Sequence, residues 1–259
     1  MTALLYGLII LLATCLGAIT GAGGGAIIKP VFDLIGMDNA STIGVYSTIA
    51  VFSMCLSSLY KHSKSGQGFN KITMLLLAGG SLIGGYFGDR IFKALTQSFP
   101  NNRVTMIQAI LLFLVLLAVL LFTIFKEYLP SLAIKAKPAI FGFGLAVGTL
   151  SVFLGIGGGP LNVIVLLGFM SMTVKESTPY SIGMIFFAQI PKLLAIFATR
   201  SETIFDLSLF PIIAITAVLG GYLGTQINHL LSEKQVTFMY RLMILGLLSI
   251  CFFNIITNI

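Results

Sequence analysis

Charge is scarce in this sequence. Charged residues make up 9% of the 259, whereas soluble domains carry about 25%. A surface so poor in charge would not stay in water, which excludes an ordinary soluble fold. Tryptophan is absent, so any aromatic belt at a membrane interface has to draw on the 8 tyrosines and 21 phenylalanines. The 3 cysteines, Cys15, Cys55 and Cys251, all lie inside apolar runs, and no CxxC pair exists. That gives no support to a disulfide framework or a zinc site and leaves the thiols as small apolar side chains. The 2 histidines, His62 and His229, fall in polar gaps and read as solvated. No HExxH, no carboxylates at catalytic spacing and no nucleophile–base pair is present, so a membrane-embedded enzyme is the weak alternative. No Lys-Ser/Thr follows the glycine clusters and no strand precedes them, which excludes a phosphate cradle. The sequence therefore implies no cofactor and no resident metal.

What is abundant is apolar. Hydrophobic residues reach 57% and mean hydropathy is +1.04. The net charge of +7 does not point to nucleic acid, because the 15 lysines and arginines form no stripe. They sit in short gaps between apolar runs, where positive charge marks cytoplasmic loops. A membrane span needs about 20 apolar residues. Runs of that kind cover residues 2–28, 39–60, 72–88, 104–125, 177–199, 207–228 and 236–256. The stretch 138–174 is too long for one helix. The N-terminal run has no basic leader region and reads as a first span rather than a removed signal peptide. The expected fold is an all-α polytopic membrane protein with about eight full spans and two short arms, 26–34 and 161–169. The third span is expected to end at Gly88, with Asp89 and Arg90 forming an interfacial ion pair. No gap is long enough for a soluble catalytic head.

The chain repeats itself. Gly21-Ala22-Gly23-Gly24-Gly25 matches Gly155-Ile156-Gly157-Gly158-Gly159, and Tyr46-Ser47 matches Tyr180-Ser181, both 134 positions on. Gly84-Gly85-Tyr86-Phe87-Gly88 matches Gly220-Gly221-Tyr222-Leu223-Gly224 at 136. Two halves follow, residues 1–134 and 135–259. Repeated halves are characteristic of secondary transporters, whose substrate sites lie near the midplane between them. The gap after span two holds Lys61, Lys64 and Lys71 and no acid; its counterpart holds Arg200, Glu202 and Asp206. Loops so different in charge favour opposite sides of the membrane, and hence inverted halves.

Each glycine in a helix interior costs about 1 kcal/mol relative to alanine, so Gly-x-Gly-Gly-Gly should break the helix. Broken backbone at membrane depth survives only where it is buried in protein or lines a wet cavity. A new helix N-terminus there offers free N–H groups to an anion. The bland reading of the same glycines is close helix packing. Pro160 abuts the second break at a favourable first-turn position, whereas the first break has Lys29-Pro30 further on.

With the chain length and the repeat, the doubled Gly-x-Gly-Gly-Gly, the apolar arm and the small-residue helix resemble the TauE/SafE family. Its members are also called sulfite exporters or the toluene sulfonate uptake permease family. The resemblance spans about residues 3–256. It implies transport of sulfite, sulfonates or related sulfur oxyanions across the bacterial cytoplasmic membrane. It also implies that Gly21, Gly23, Gly24, Gly25, Gly155, Gly157, Gly158 and Gly159 take part in the substrate site.

Ionisable groups inside spans are functional candidates. Lys192 either faces an anion or snorkels to the interface, and Pro191 should kink the helix beside it. Lys29 is the second candidate cation. Ser47, Ser181, Asn162 and Gln189 supply hydroxyls and amides that contact either a ligand or a neighbouring helix. The expected partners are a small anion and the lipid bilayer, with substrate between the two breaks. The expected function is a secondary transporter; an anion channel of the same architecture is the alternative.

Overall fold

A computed structural model describes residues 2–36, 38–65, 70–126, 132–198 and 207–257. Among these residues every regular element is helical, in ten α-helices and one 3-10 turn. They are α1 Thr2–Thr20, α2 Gly25–Ile35, α3 Ala40–Lys64, α4 Lys71–Ser98, α5 Asn101–Phe125, α6 Lys137–Leu154, α7 Gly159–Phe169, α8 Val174–Ala198, α9 Phe210–Leu230 and α10 Glu233–Thr257. Eight are long and apolar enough to cross a membrane; α2 and α7 are the two short arms, 11 residues each. Glu202 and Asp206, like Arg200, lie outside the described residues, as do Gly66, Gln67 and Gly68.

The boundaries have local causes. Asn39 caps α3 by accepting from Thr42 N, and Asn70 caps α4 by accepting from Ile72 N and Thr73 N; such caps contribute about 1 kcal/mol each. The third span does not end at Gly88. α4 continues to Ser98 because nothing after Gly88 breaks a helix, and Asp89 is offset by Lys93 one turn on, 2.7 Å away. Arg90 is not its partner. α8 runs unbroken through Pro179 and Pro191.

The arms fold back. After α1 the chain turns at Gly21–Gly24, and Gly23 N donates to Gly17 O at 3.2 Å. Phe32 of α2 then meets Tyr6, near the start of α1, with ring centroids 4.5 Å apart. α2 thus returns along α1 as a hairpin. α7 does the same along α6: its last residue, Phe169, accepts from Ile134 N, just before α6, at 2.7 Å.

α3 and α8 begin 134 residues apart and run antiparallel. Gly44, near the start of α3, faces Lys192 near the end of α8, while Leu59 near the end of α3 faces Gly183. A rotation that carries one onto the other therefore reverses the chain direction. The remaining contacts obey the same exchange. α4 packs on α6 and α1 on α9, both through small residues that bring backbones together. A β-carbon at Gly84 would lie 2.2 Å from Leu145 O, and one at Gly224 would lie 2.2 Å from Cys15 O.

Candidate functional site at the crossing of the glycine breaks

The two hairpin tips meet at the centre of the molecule. Gly21 and Gly155 have φ of +73° and +71°, and Gly23 and Gly157 have +69° and +71°. Left-handed backbone costs an L-residue roughly 1–2 kcal/mol, which accounts for glycine at these repeat-equivalent turns. The symmetry fails at one place. Gly158 is also left-handed, with φ +89°, whereas Gly24 is right-handed with φ −63°. Gly25 and Gly159 serve close approach. A β-carbon at Gly159 would fall 1.5 Å from Ala22 O, and one at Gly25 would fall 2.7 Å from Ile156 O. The tips touch backbone to backbone, and a solute has no room between them in this conformation.

Two serines tie each tip to the other half. Ser181 Oγ donates to Gly21 O at 2.5 Å, and Ser47 Oγ donates to Gly155 O at 3.5 Å. Both serines are buried. Asn162 Nδ2 donates to Ser181 O at 3.1 Å and so braces the first of these ties. In this conformation Ser47, Ser181 and Asn162 bond protein groups.

The ionisable candidates gather beside the second tip. Lys192 is 5% exposed, so it does not snorkel to the interface. Its Nζ lies over the Phe92 ring, 5.0 Å from the centroid, and a β-carbon at Gly44 would lie 3.3 Å from it. No described carboxylate comes within ion-pair distance of Lys192. Asp89, Lys29 and Lys93 are all within electrostatic reach. Lys29 differs, because Asp33 one turn on takes its charge at 2.9 Å, with both side chains buried. The Lys29 stem covers Gly155, with Cδ 2.9 Å from where a β-carbon would sit.

Gln189 lies one helical turn before Lys192 on α8. Its Nε2 is 3.5 Å from the β-carbon position of Gly157. Its Oε1 is buried and without a partner. Buried polar atoms are nearly always paired, and this orphan belongs to a residue one helical turn from Lys192. Gly155, Gly157, Lys29, Ser47, Gln189 and Lys192 thus share one neighbourhood. Gly21, Ser181 and Asn162 belong to the opposite tie, and Gly23, Gly24 and Gly25 pack within the first hairpin and against the second tip. Phe92 and Gly44, which frame Lys192, carried no signal in the sequence.

A cavity of about 410 Å³ lies at the other end of α8, lined by Asn70, Leu76, Lys135, Lys137, Ile140 and Tyr180 among others. Tyr180 Oη accepts a hydrogen bond from Asn70 N at 2.7 Å, and Tyr180 is the residue before the Ser181 tie. At its edge Lys126 Nζ donates to Met172 O at 2.9 Å. Burial holds that ammonium below its usual range, against the opposing pull of Glu233 and Glu176.

His62 and His229 are not solvated as a pair. His62 is 2% exposed, and its Nδ1 lies 3.1 Å from His229 Nε2. The cause is α9, which runs parallel to α3 and covers the end of the helix that the sequence leaves in a polar gap.

A model of the family described as Sulfite exporter TauE/SafE matches residues 6–252. No curated protein matches the chain.

Proposed function

The chain belongs to the sulfite exporter TauE/SafE family of membrane transporters, and from that premise we propose that it carries a small anion, sulfite or an organosulfonate, across the cytoplasmic membrane. The observation that carries the proposal is Lys192. A charge in a membrane interior is costly and is kept where it pairs or functions. Lys192 is buried with no carboxylate at ion-pair distance among the described residues, and the orphaned Gln189 Oε1 belongs to a residue one helical turn before it. In this reading the anion binds beside the tips rather than between them. Lys192 supplies charge, Gln189 supplies amide hydrogens after rotation of its amide plane, and Gly155 and Gly157 let the backbone approach. Lys29 remains a weaker contributor, because Asp33 already takes its charge.

Residues 1–134 and 135–259 then act as inverted halves that alternate access. Lys61, Lys64, Lys71, Lys126, Lys135, Lys137, Lys175 and Lys234 flank one set of helix ends. By the positive-inside rule that face is cytoplasmic. The test is radiolabelled sulfite flux in proteoliposomes. Saturable flux with counterflow supports a carrier. Flux linear in concentration points to a channel, and no flux of sulfite or of a sulfonate refutes the reading.

A further inference from the structure

The paired histidines put two titratable rings, one of them buried, where two helix ends meet. His62 lies near the end of α3 and His229 near the end of α9, with Nδ1 to Nε2 at 3.1 Å and ring centroids 4.9 Å apart at 72°. His62 Nε2 is buried and unpartnered. The charged and titratable groups facing the pair are cations and a phenol. Lys61 of α3 lies over the Tyr222 ring of α9 at 3.6 Å and bonds Gln226 at 3.0 Å. Lys175 of α8 donates to Leu231 O at 2.5 Å and to His229 O at 3.4 Å. Among the described residues no carboxylate lies within ion-pair distance of either ring.

Proton counting then gives the pair its behaviour. At 3.1 Å one ring nitrogen must donate and the other accept. One added proton goes to a nitrogen outside the contact, leaving a charge-assisted hydrogen bond intact. A second proton has to take the accepting lone pair. Two N–H groups would then face each other between two cationic rings, and the contact must open. The pair is joined to the transport machinery on both sides. Asn228, next to His229, donates to Ile19 O at 2.6 Å, two residues before Gly21 and the first break. Further along the same seam Thr225 bonds Ser58 at 2.9 Å, and α3 carries the Ser47 tie.

We propose that His62 and His229 form a proton-binding site linked to transport: they hold the ends of α3 and α9 together while they share at most one extra proton and release them when both rings are charged. The link to flux rests on the transporter reading; the proton site does not. The chain has only 2 histidines, so histidine-labelled protein in detergent gives two ring spectra to titrate by NMR. Two titration steps separated by more than about one pH unit are expected for interacting sites, and His229→Gln should collapse them to a single step. Rings that titrate together and ignore the substitution would overturn the site. If His62→Gln does not fold, the half-exposed position of His229 lets His229→Gln alone decide. In proteoliposomes, sulfite flux should change several-fold as pH on the lysine-rich face falls through the second step, and the double glutamine variant should keep flux but lose that response. An unchanged response in the double variant would overturn the link. Absence of any sulfite flux would count against the transporter reading and leave the NMR result to decide the proton site.

Discussion

Ser181 reaches across the molecule to the carbonyl of Gly21, 160 residues earlier in the chain, at 2.5 Å. Its repeat mate Ser47 makes the mirrored bond to Gly155 at 3.5 Å. The shorter bond should carry more of the stability. Ser181→Ala leaves the Gly21 carbonyl unpaired in a buried place, a loss of about 1–3 kcal/mol. Ser47→Ala should cost less. Thermal melts of the two variants in detergent measure the difference. Equal shifts, or a larger one for Ser47→Ala, would contradict the assignment.

The tips should be intolerant of a single methyl. Gly159→Ala would drive a β-carbon to 1.5 Å from Ala22 O, and overpacking of well-packed sites costs typically 1–3 kcal/mol or more. Gly246 has nothing within 4 Å of its β-carbon position, so Gly246→Ala should be neutral or slightly stabilising. Yield of monodisperse protein after extraction reads both. A well-behaved Gly159→Ala variant would mean that the tips can part without penalty.

Much of this architecture is legible in the residues. The doubled Gly-x-Gly-Gly-Gly marks both turns, and the common 134-residue offset pairs α2 with α7 and α3 with α8. The end of α4 is not legible, because an acid after a long apolar run looks like an interface until Lys93 is seen to offset Asp89. The serine ties are half legible. Repeat equivalence singles out Ser47 and Ser181, but their partners lie in the other half, and only the reversed arrangement of α3 and α8 brings them there. The burial of His62 is invisible for a related reason: its neighbour in space is α9, and a polar gap in sequence says nothing of what packs over it.

Lys29 and Asp33 should behave as a unit. Both are buried and 2.9 Å apart. Asp33→Asn leaves an uncompensated ammonium, and breaking one side of a buried pair costs about 3–5 kcal/mol. The double variant Lys29→Met with Asp33→Leu should recover most of that. A double-mutant cycle on melting temperature decides it, and additive losses would argue against the pair.

Orientation is open to direct labelling. In a background with Cys15, Cys55 and Cys251 replaced by alanine, Ser65→Cys sits at the end of α3 and Asn101→Cys at the start of α5. These positions are on opposite faces. An impermeant thiol reagent applied outside cells should label Asn101→Cys and spare Ser65→Cys. The reverse pattern would invert the proposed orientation.

The buried ammonium at position 192 is where the functional account can be tested most directly. Radiolabelled sulfite uptake by proteoliposomes should be measured for the native chain, Lys192→Arg and Lys192→Met. Losing a hydrogen bond to a charged group costs about 1.5–3 kcal/mol, and each 1.4 kcal/mol is about tenfold in affinity. The half-saturation concentration for Lys192→Met should therefore rise at least about tenfold, with Lys192→Arg in between. A Lys192→Met protein that takes up sulfite with the native half-saturation concentration would contradict the account.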